Sequence, residues 1–150
     1  MRIAFGTDEE TATTAAVREH LRSGGYEVVD VAAGARWAEV GRAVGEAVAG
    51  GDADVGVVAC WTGTGVSMAA NKVDGVRAAL CTDAETARGA RRWNDANVLA
   101  FGLRLTSPEV AKELVDAFLS SEPDGTESDQ IALLDLSPPP PPPPPPNFER

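Results

Sequence analysis

Short apolar segments alternate with longer segments in which apolar residues recur at helical spacing. The short segments are rich in Val, Ile, Leu and Ala and cover residues 2–6, 26–31, 55–60, 76–80 and 97–102. Continuous apolar runs of this length are typical of strands that are buried on both faces. Because helical segments separate them, the pattern predicts an α/β fold whose parallel sheet is covered by helices on both faces.

The segments between the strands predict five helices, at residues 11–24, 37–50, 64–73, 83–93 and 107–119. Glycine pairs at 24–25 and 50–51 end two of them. Ser107 and Pro108 begin the last with a cap and a first-turn proline. A weaker helical pattern covers residues 127–135. The chain therefore predicts five βα units and one short additional helix.

The carboxyl-terminal end differs in composition from the rest of the chain. Residues 1–136 fit one domain with a single core, and residues 137–150 form a proline-rich tail. Pro138–Pro146 is an unbroken run of prolines, which predicts an extended polyproline II conformation. We expect the tail to be stiff and disordered, and docking to a proline-binding module is the alternative.

Composition narrows the possible partners and the compartment. The formal net charge of −10 argues against nucleic acid, which would require a basic face. No apolar run approaches the ~20 residues of a membrane span, and no signal-peptide pattern opens the chain. The two cysteines both end predicted strands and do not resemble a disulfide framework. We therefore expect a cytoplasmic protein without membrane contact, metal or cofactor.

The segment from Val57 to Lys72 carries the clearest chemical signal. Its apolar run ends at Cys60, passes through a Gly/Thr loop and opens into an Ala-rich helix. This order places a thiol at the carboxyl end of a buried strand, beside the amino end of the next helix. Unpaired backbone N–H groups there favour negative charge and can hold an oxyanion of a reacting substrate. A base beside an anion hole indicates proton-transfer chemistry.

The same segment resembles the ribose-5-phosphate isomerase B and galactose-6-phosphate isomerase family. The resemblance continues in the blocks Met1–Asp8, Gly75–Cys81 and Asn94–Gly102, and it covers about residues 1–120. It implies a doubly wound, Rossmann-like, five-stranded parallel sheet in three α/β/α layers. It also implies a small-molecule sugar-like substrate and a homodimer that shares two sites, with a tetramer as a further possibility.

The resemblance gives roles to individual residues. Cys60 matches the base that moves a proton between C1 and C2 of an open-chain sugar phosphate, whereas a plain buried hydrophobe is the alternative. Asp8 matches an aspartate that binds sugar hydroxyls, and Asn94 matches an asparagine beside the site. A helix N-cap for Asp8 and a turn for Asn94 are the alternatives. The predicted catalytic residues are Cys60 and Thr62, and the predicted substrate-binding residues are Asp8, Glu9, Trp61, Gly63, Gly65, Ser67, Trp93 and Asn94.

Several positions depart from the family pattern. Glu9 and Trp93 stand where the family usually has histidines, and Trp61 stands beside the base in place of glycine. The stretch 125–130 contains none of the arginines that bind the substrate phosphate in the family. Because a phosphate dianion needs a bidentate arginine or several donors, these departures predict a substrate without the usual phosphate. Only Arg88, Arg91 and Arg92 form a positive cluster near the expected site, and a solvated helix face is the simpler interpretation of it.

The tryptophans are few and are placed together in the predicted fold. Trp37, Trp61 and Trp93 are the only three in the chain, and each aligns with a loop or helix end near the family site. This placement indicates a stacking surface for a sugar face or an aromatic ring, with packing at a dimer interface as the alternative.

Three functions follow from these observations. The first is an isomerase or epimerase that keeps the Cys60 base and its anion hole and accepts a substrate lacking the phosphate. The second is ribose-5-phosphate isomerase activity with a rebuilt phosphate site. The third is a binding protein without catalytic activity, which the retained residues 60–65 disfavour.

Overall fold

A computed structural model describes residues 1–134, in which strands and helices alternate as the sequence predicts. The predicted tail at 137–150 lies outside the described residues. The elements are β1 (Arg2–Thr7), α1 (Ala12–Ser23), β2 (Glu27–Asp30), α2 (Trp37–Ala49), β3 (Val55–Cys60), α3 (Thr64–Ala70), β4 (Ala78–Leu80), α4 (Ala84–Asn94), β5 (Val98–Gly102), α5 (Pro108–Leu119) and α6 (Ser128–Leu134).

The five strands form one parallel sheet in the order β2-β1-β3-β5-β4, with a separate apolar core on each face. Val17 and Leu21 of α1 belong to one core, which also contains residues of α4 and α5. Val66 and Ala70 of α3 belong to the other, together with residues of α2. The predicted doubly wound, three-layer arrangement is therefore confirmed.

The connections that follow the neighbouring strands β1 and β3 lie on opposite faces of the sheet. β1 leads to α1 on one face of the sheet, and its neighbour β3 leads to α3 on the other face. The two loops that leave these strands diverge, which opens a crevice at the carboxyl edge of the sheet. Ligands of open α/β sheets bind at such a point. Asp8 follows β1 and Cys60 ends β3, so both residues emerge at this crevice.

Two glycines allow α2 to pack closely against the sheet and against α3. A Cβ atom at Gly6 of β1 would lie 2.7 Å from Cγ2 of Val44, and one at Gly41 would lie 2.5 Å from the carbonyl oxygen of Val66. Both distances are shorter than any tolerated contact of a Cβ atom. Glycine at these two positions therefore sets how close α2 comes to β1 and to the first turns of α3.

Two element boundaries differ from prediction around Asn71. The predicted helix at 64–73 ends at Ala70, and the predicted strand at 76–80 begins only at Ala78. The reason is the amide of Asn71, which donates from Nδ2 to the Ala78 carbonyl and accepts the Ala78 N–H at Oδ1, both at 2.8 Å. Because the side chain pairs with the β4 backbone, the chain turns away from the helix at this residue.

The predicted helix ends are otherwise confirmed. Gly24 caps the end of α1 and is followed by Gly25 at φ +82°, and the Ser107 hydroxyl accepts the Val110 N–H at 3.3 Å before Pro108. α1 begins after Thr11, whose hydroxyl accepts the Thr14 N–H at 3.3 Å. None of the helices in the described part of the chain is long and apolar enough to cross a bilayer.

Candidate active site

Cys60 ends β3 at the crevice, as the sequence predicts. It pairs with Gly102 of β5, and the preceding Ala59 pairs with Thr7 of β1. The Cys60 side chain packs with the core that α2 and α3 cover, and the residue is 5% exposed. The thiol is therefore held on the side of the sheet from which α3 begins.

The loop after Cys60 is fixed to the end of β5. The Leu103 N–H donates to the Cys60 carbonyl and the Arg104 N–H donates to the Trp61 carbonyl, both at 2.9 Å. A Cβ atom at Gly102 would lie 2.7 Å from the carbonyl carbon of Thr62. Because nothing separates the two backbones, the loop has little freedom to move relative to the sheet.

Two of the predicted anion-hole residues, Thr62 and Gly63, lie in this fixed loop, and Gly65 and Ser67 lie in the first turns of α3. Gly63 has φ +77°, a left-handed conformation that favours glycine, and the Thr62 hydroxyl lies 2.8 Å from the Thr64 hydroxyl. The first N–H groups of α3 have no acceptor within the helix, so they remain available to a ligand. The Ser67 N–H, by contrast, donates to the Gly63 carbonyl at 3.1 Å. Ser67 can therefore offer only its hydroxyl, and its predicted binding role stays a prediction.

Asp8 lies across the crevice from Cys60 and is not a helix cap, because Thr11 has that role. Oδ1 of Asp8 is buried and has no hydrogen-bond partner among residues 1–134. A buried carboxylate oxygen without a donor is costly, so this atom is suited to accept a ligand hydroxyl. Beside it, the Thr7 hydroxyl donates to the Glu9 carbonyl at 2.8 Å, and the Glu9 side chain remains exposed.

Arg104 is a residue at the site that the sequence analysis missed. It is the second residue after β5 and, with Trp61, Thr62 and Gly102, lines a small cavity of about 90 Å³ at the carboxyl edge. No acidic residue within the described chain forms an ion pair with it. Its position shortly after a predicted strand could have identified it, because Asp8 occupies the same kind of position.

Trp93 and Asn94 do not lie at the crevice of their own chain. They end α4, whose 11 residues run back from the carboxyl edge over about 16 Å. Both line a cavity of about 740 Å³ along the edge strand β4. Asp95 holds this turn at φ 44°, with its carboxylate 2.8 Å from Arg77 and 3.3 Å from Arg91. Any shared role with Cys60 would therefore need a second copy of the chain.

The arginine cluster of α4 does not provide an anion site. Arg88 pairs with Glu85, and Arg92 pairs with Asp124 at 3.2 Å. Arg91 donates to the Ala96 carbonyl at 2.6 Å, and its guanidinium lies over the Phe118 ring. Arg91 is thus packed against the protein and not on the solvated face that the sequence favoured for the cluster. All three cations are already engaged.

The only histidine of the chain lies away from the crevice. The single histidine, His20, lies on α1 with Nε2 2.7 Å from an oxygen of Asp116 on α5. Residues 1–134 contain no group of three or more His, Cys, Asp or Glu side chains placed to hold a metal ion.

The comparisons with known proteins agree with the fold and the loop. The family model described as Ribose/Galactose Isomerase matches residues 3–133. The chain belongs to this family. It is 39% identical over 134 residues to the ribose-5-phosphate isomerase B of Escherichia coli, covering 86% of this chain and 90% of the relative. The family resemblance expected from the sequence is confirmed, and the protein is an isomerase.

Two further matches support the assignment to the ribose/galactose isomerase family. A galactose-6-phosphate isomerase subunit of Clostridium acetobutylicum is 40% identical over 118 residues, covering 76% of this chain and 68% of the relative. The solved structure of Clostridium thermocellum ribose-5-phosphate isomerase B superposes with a TM-score of 0.86 at 36% identity, covering 90% of this chain and 95% of that one.

Cys81 generates a prediction about alkaline stability. The residue is 1% exposed, and burial, with a further contribution from the charge of Asp83, raises the pKa of its thiol to about 11. In an unfolded chain the thiol ionises near pH ~8.5, so the folded state binds the proton more tightly. The resulting stability is fully present below ~8.5 and is lost as the pH rises towards about 11.

Replacing Cys81 with Ala should therefore flatten this part of the pH profile. Urea unfolding of the parent and of Cys81→Ala between about pH 8 and about pH 11 measures the effect. The free energy of unfolding of the parent should fall more steeply than that of the variant. Parallel profiles would contradict the pKa shift.

Proposed function

We propose that the protein interconverts an aldose phosphate and the corresponding ketose phosphate, with ribose 5-phosphate as the expected substrate. The observation that carries this proposal is Cys60, placed beside a fixed loop with free N–H groups and across from the unpartnered Asp8 oxygen. Family membership and the similarity to two ribose-5-phosphate isomerases B support the same activity.

A phosphorylated sugar replaces the phosphate-free substrate that the sequence analysis expected. The relatives described above are named for sugar phosphates, which favours a phosphate on the substrate. The phosphate-free expectation rested on the missing arginines of residues 125–130 and considered only Arg88, Arg91 and Arg92 as a replacement, without Arg104. A guanidinium at the end of β5 can make bidentate hydrogen bonds to a phosphate.

In the proposed reaction, the Cys60 thiolate removes the proton from C2 of the open-chain aldose. The electron pair of the C–H bond forms the C1–C2 double bond, and the carbonyl π electrons move onto O1. The N–H groups of the loop and the Thr62 hydroxyl stabilise this enediolate oxygen. The Cys60 thiol then returns the proton to C1, and the proton of the O2 hydroxyl passes to O1. This leaves the ketose, with a carbonyl at C2 and a hydroxyl at C1. No external oxidant or reductant takes part.

We also propose that the functional unit is a homodimer in which Trp93 and Asn94 face the partner's Cys60. Met68, Trp93 and Leu134 are exposed although they are apolar. Trp93 and Leu134 line the cavity beside β4, and Met68 lies on the neighbouring helix α3. A second copy that covers this face would bury them and bring the two half-sites together.

The first test concerns the base. Cys60→Ala should lower the exchange of the C2 proton of ribose 5-phosphate in deuterated water by ~10²-fold or more, the scale of losing a positioned base. Cys81→Ala is the matched control and should stay within a few-fold of the parent. Near-parental exchange by a folded Cys60→Ala protein would reject Cys60 and turn attention to Asp8 or Glu9.

The second test concerns the phosphate. Arg104→Ala should raise the KM for ribose 5-phosphate by roughly 10-fold to 100-fold, because a charge-assisted hydrogen bond contributes about 1.5–3 kcal/mol. Arg104→Lys should recover only part of this, since lysine keeps the charge and loses the planar fork. Arg88→Ala, on α4, is the control. A parent protein that turned over free ribose as well as ribose 5-phosphate would restore the phosphate-free hypothesis.

The third test concerns the shared site. Cys60→Ala and Asn94→Ala should each be inactive alone, whereas their co-expression should recover about one quarter of parental activity, since half of random dimers are mixed and each has one intact site. Co-expression of Cys60→Ala with Arg104→Ala should recover nothing at low substrate concentration, because both residues lie in the same half-site. A monomeric mass by light scattering, or equal recovery in both mixtures, would exclude the shared arrangement.

A further inference from the structure

The apolar stripe of α2 continues beyond the sheet that it covers. Val40 and Val44 are fully buried, and their methyl groups would lie 2.8 Å and 2.7 Å from a Cβ atom at Gly6 of β1. Trp37 is the first residue of α2 and precedes Val40 by one turn on the same stripe. Because α2 runs back from the carboxyl edge, this turn lies past the end of β1, where Asp8 begins the crevice loop.

Trp37 is therefore a core-facing residue with no sheet beneath it. Side chains on a helix also lean towards its amino end, which carries the ring further over the edge. The residue is 47% exposed, whereas Val40 and Val44 are 0% exposed. Strand residues lie beneath Val40 and Val44. At Trp37 the sheet has ended, and the crevice lies beneath the ring.

The ring has one fixed contact and one unused polar group. A Cβ atom at Gly65 would lie 2.8 Å from Cε3 and 3.0 Å from Cδ2 of Trp37, so the ring rests directly on the backbone that follows the Thr62–Gly63 loop. Its indole N–H forms no hydrogen bond with another residue of the described chain. A ring held on one side, with a free donor, is suited to contact a sugar.

Trp37 and Arg104 lie on opposite sides of Cys60. Arg104 lies just after β5, which neighbours β3 on one side. The helix α2 packs on β3 and on β1, the neighbour of β3 on the other side, so Trp37 at its start lies on the side of Cys60 away from β5. The outer strands of this trio are about 10 Å apart at a strand spacing of ~4.8 Å. An extended sugar phosphate with its phosphate at Arg104 would thus pass Cys60 and end against the Trp37 ring.

We propose that Trp37 is a specificity-determining residue that limits the carbon chain of the substrate at the end opposite the phosphate. The inference rests on the isomerase activity proposed above. A wall at this position would stop a longer chain whose phosphate is held at Arg104. Ribose 5-phosphate should therefore be preferred to galactose 6-phosphate, which has one more carbon.

The test compares kcat/KM for these two compounds in the parent and in variants. Trp37→Ala should raise the ratio of galactose 6-phosphate to ribose 5-phosphate turnover by about 10-fold or more, the lower limit of what one methylene contributes to discrimination. Trp37→Phe, which keeps a ring, should change the ratio less. Val40→Ala, one turn away, should lower the melting temperature and leave the ratio unchanged. A ratio within two-fold of the parent in a folded Trp37→Ala protein, or an equal change in Val40→Ala, would overturn the proposal.

A binding measurement separates this inference from the proposed activity. In Trp61→Phe/Trp93→Phe protein, Trp37 is the only tryptophan left to report on its surroundings. Ribose 5-phosphate should change its fluorescence, whereas inorganic phosphate, which reaches only the Arg104 end, should not. Binding of ribose 5-phosphate by calorimetry without any fluorescence change would reject Trp37 as a contact. A parent that binds ribose 5-phosphate with the fluorescence change but does not isomerise it would reject the activity and keep the contact.

Discussion

The backbone pairing between β3 and β5 continues one step beyond the sheet, and the candidate site depends on this extension. Two hydrogen bonds from residues 103 and 104 reach the carbonyls of Cys60 and Trp61, and the missing side chain of Gly102 lets Thr62 rest on the strand end. A loop fixed in this way presents its N–H groups without reorganisation, which is the condition under which such groups stabilise a developing charge most strongly. The same pairing places Arg104 beside the loop.

The parts of the fold that depend on local chemistry were predictable from the sequence. Apolar runs gave the strands, and glycine pairs and a Ser-Pro start gave the helix ends, because these residues act within one turn of their own position. The boundaries around Asn71 were predicted wrongly because this residue acts on a more distant part of the chain. Its amide binds the backbone of a strand seven residues later, and a side chain that caps a distant segment leaves no periodic trace in the sequence.

The site residues that lie just after strands could be predicted from the sequence. The positions of residues on a helix could not, because they depend on how far the helix runs from the carboxyl edge of the sheet. Asp8 and Cys60 emerge together because parallel strands end at one edge. The α4 arginines were expected near that edge, but Arg88 is paired with Glu85 of its own helix, and the helix carries Arg91 and Arg92 back towards the other edge, where the Ala96 carbonyl and Asp124 hold them. Arg104 was missed because arginines were sought in the family's carboxyl-terminal pattern, whereas this one follows the fifth strand.

The Asn71 amide also decides what kind of neighbour the sheet can accept. Edge strands with free N–H and C=O groups invite another strand to join them, and many proteins block this with charges, prolines or a covering segment. Here a side-chain amide imitates the next strand at Ala78, so the outward-facing groups of that residue are already satisfied. At Ala78, therefore, no strand of another chain can pair with β4. In the homodimer proposed above, the contact at this position is built from side chains such as Trp93 and Leu134, which a point mutation can change without disturbing the fold.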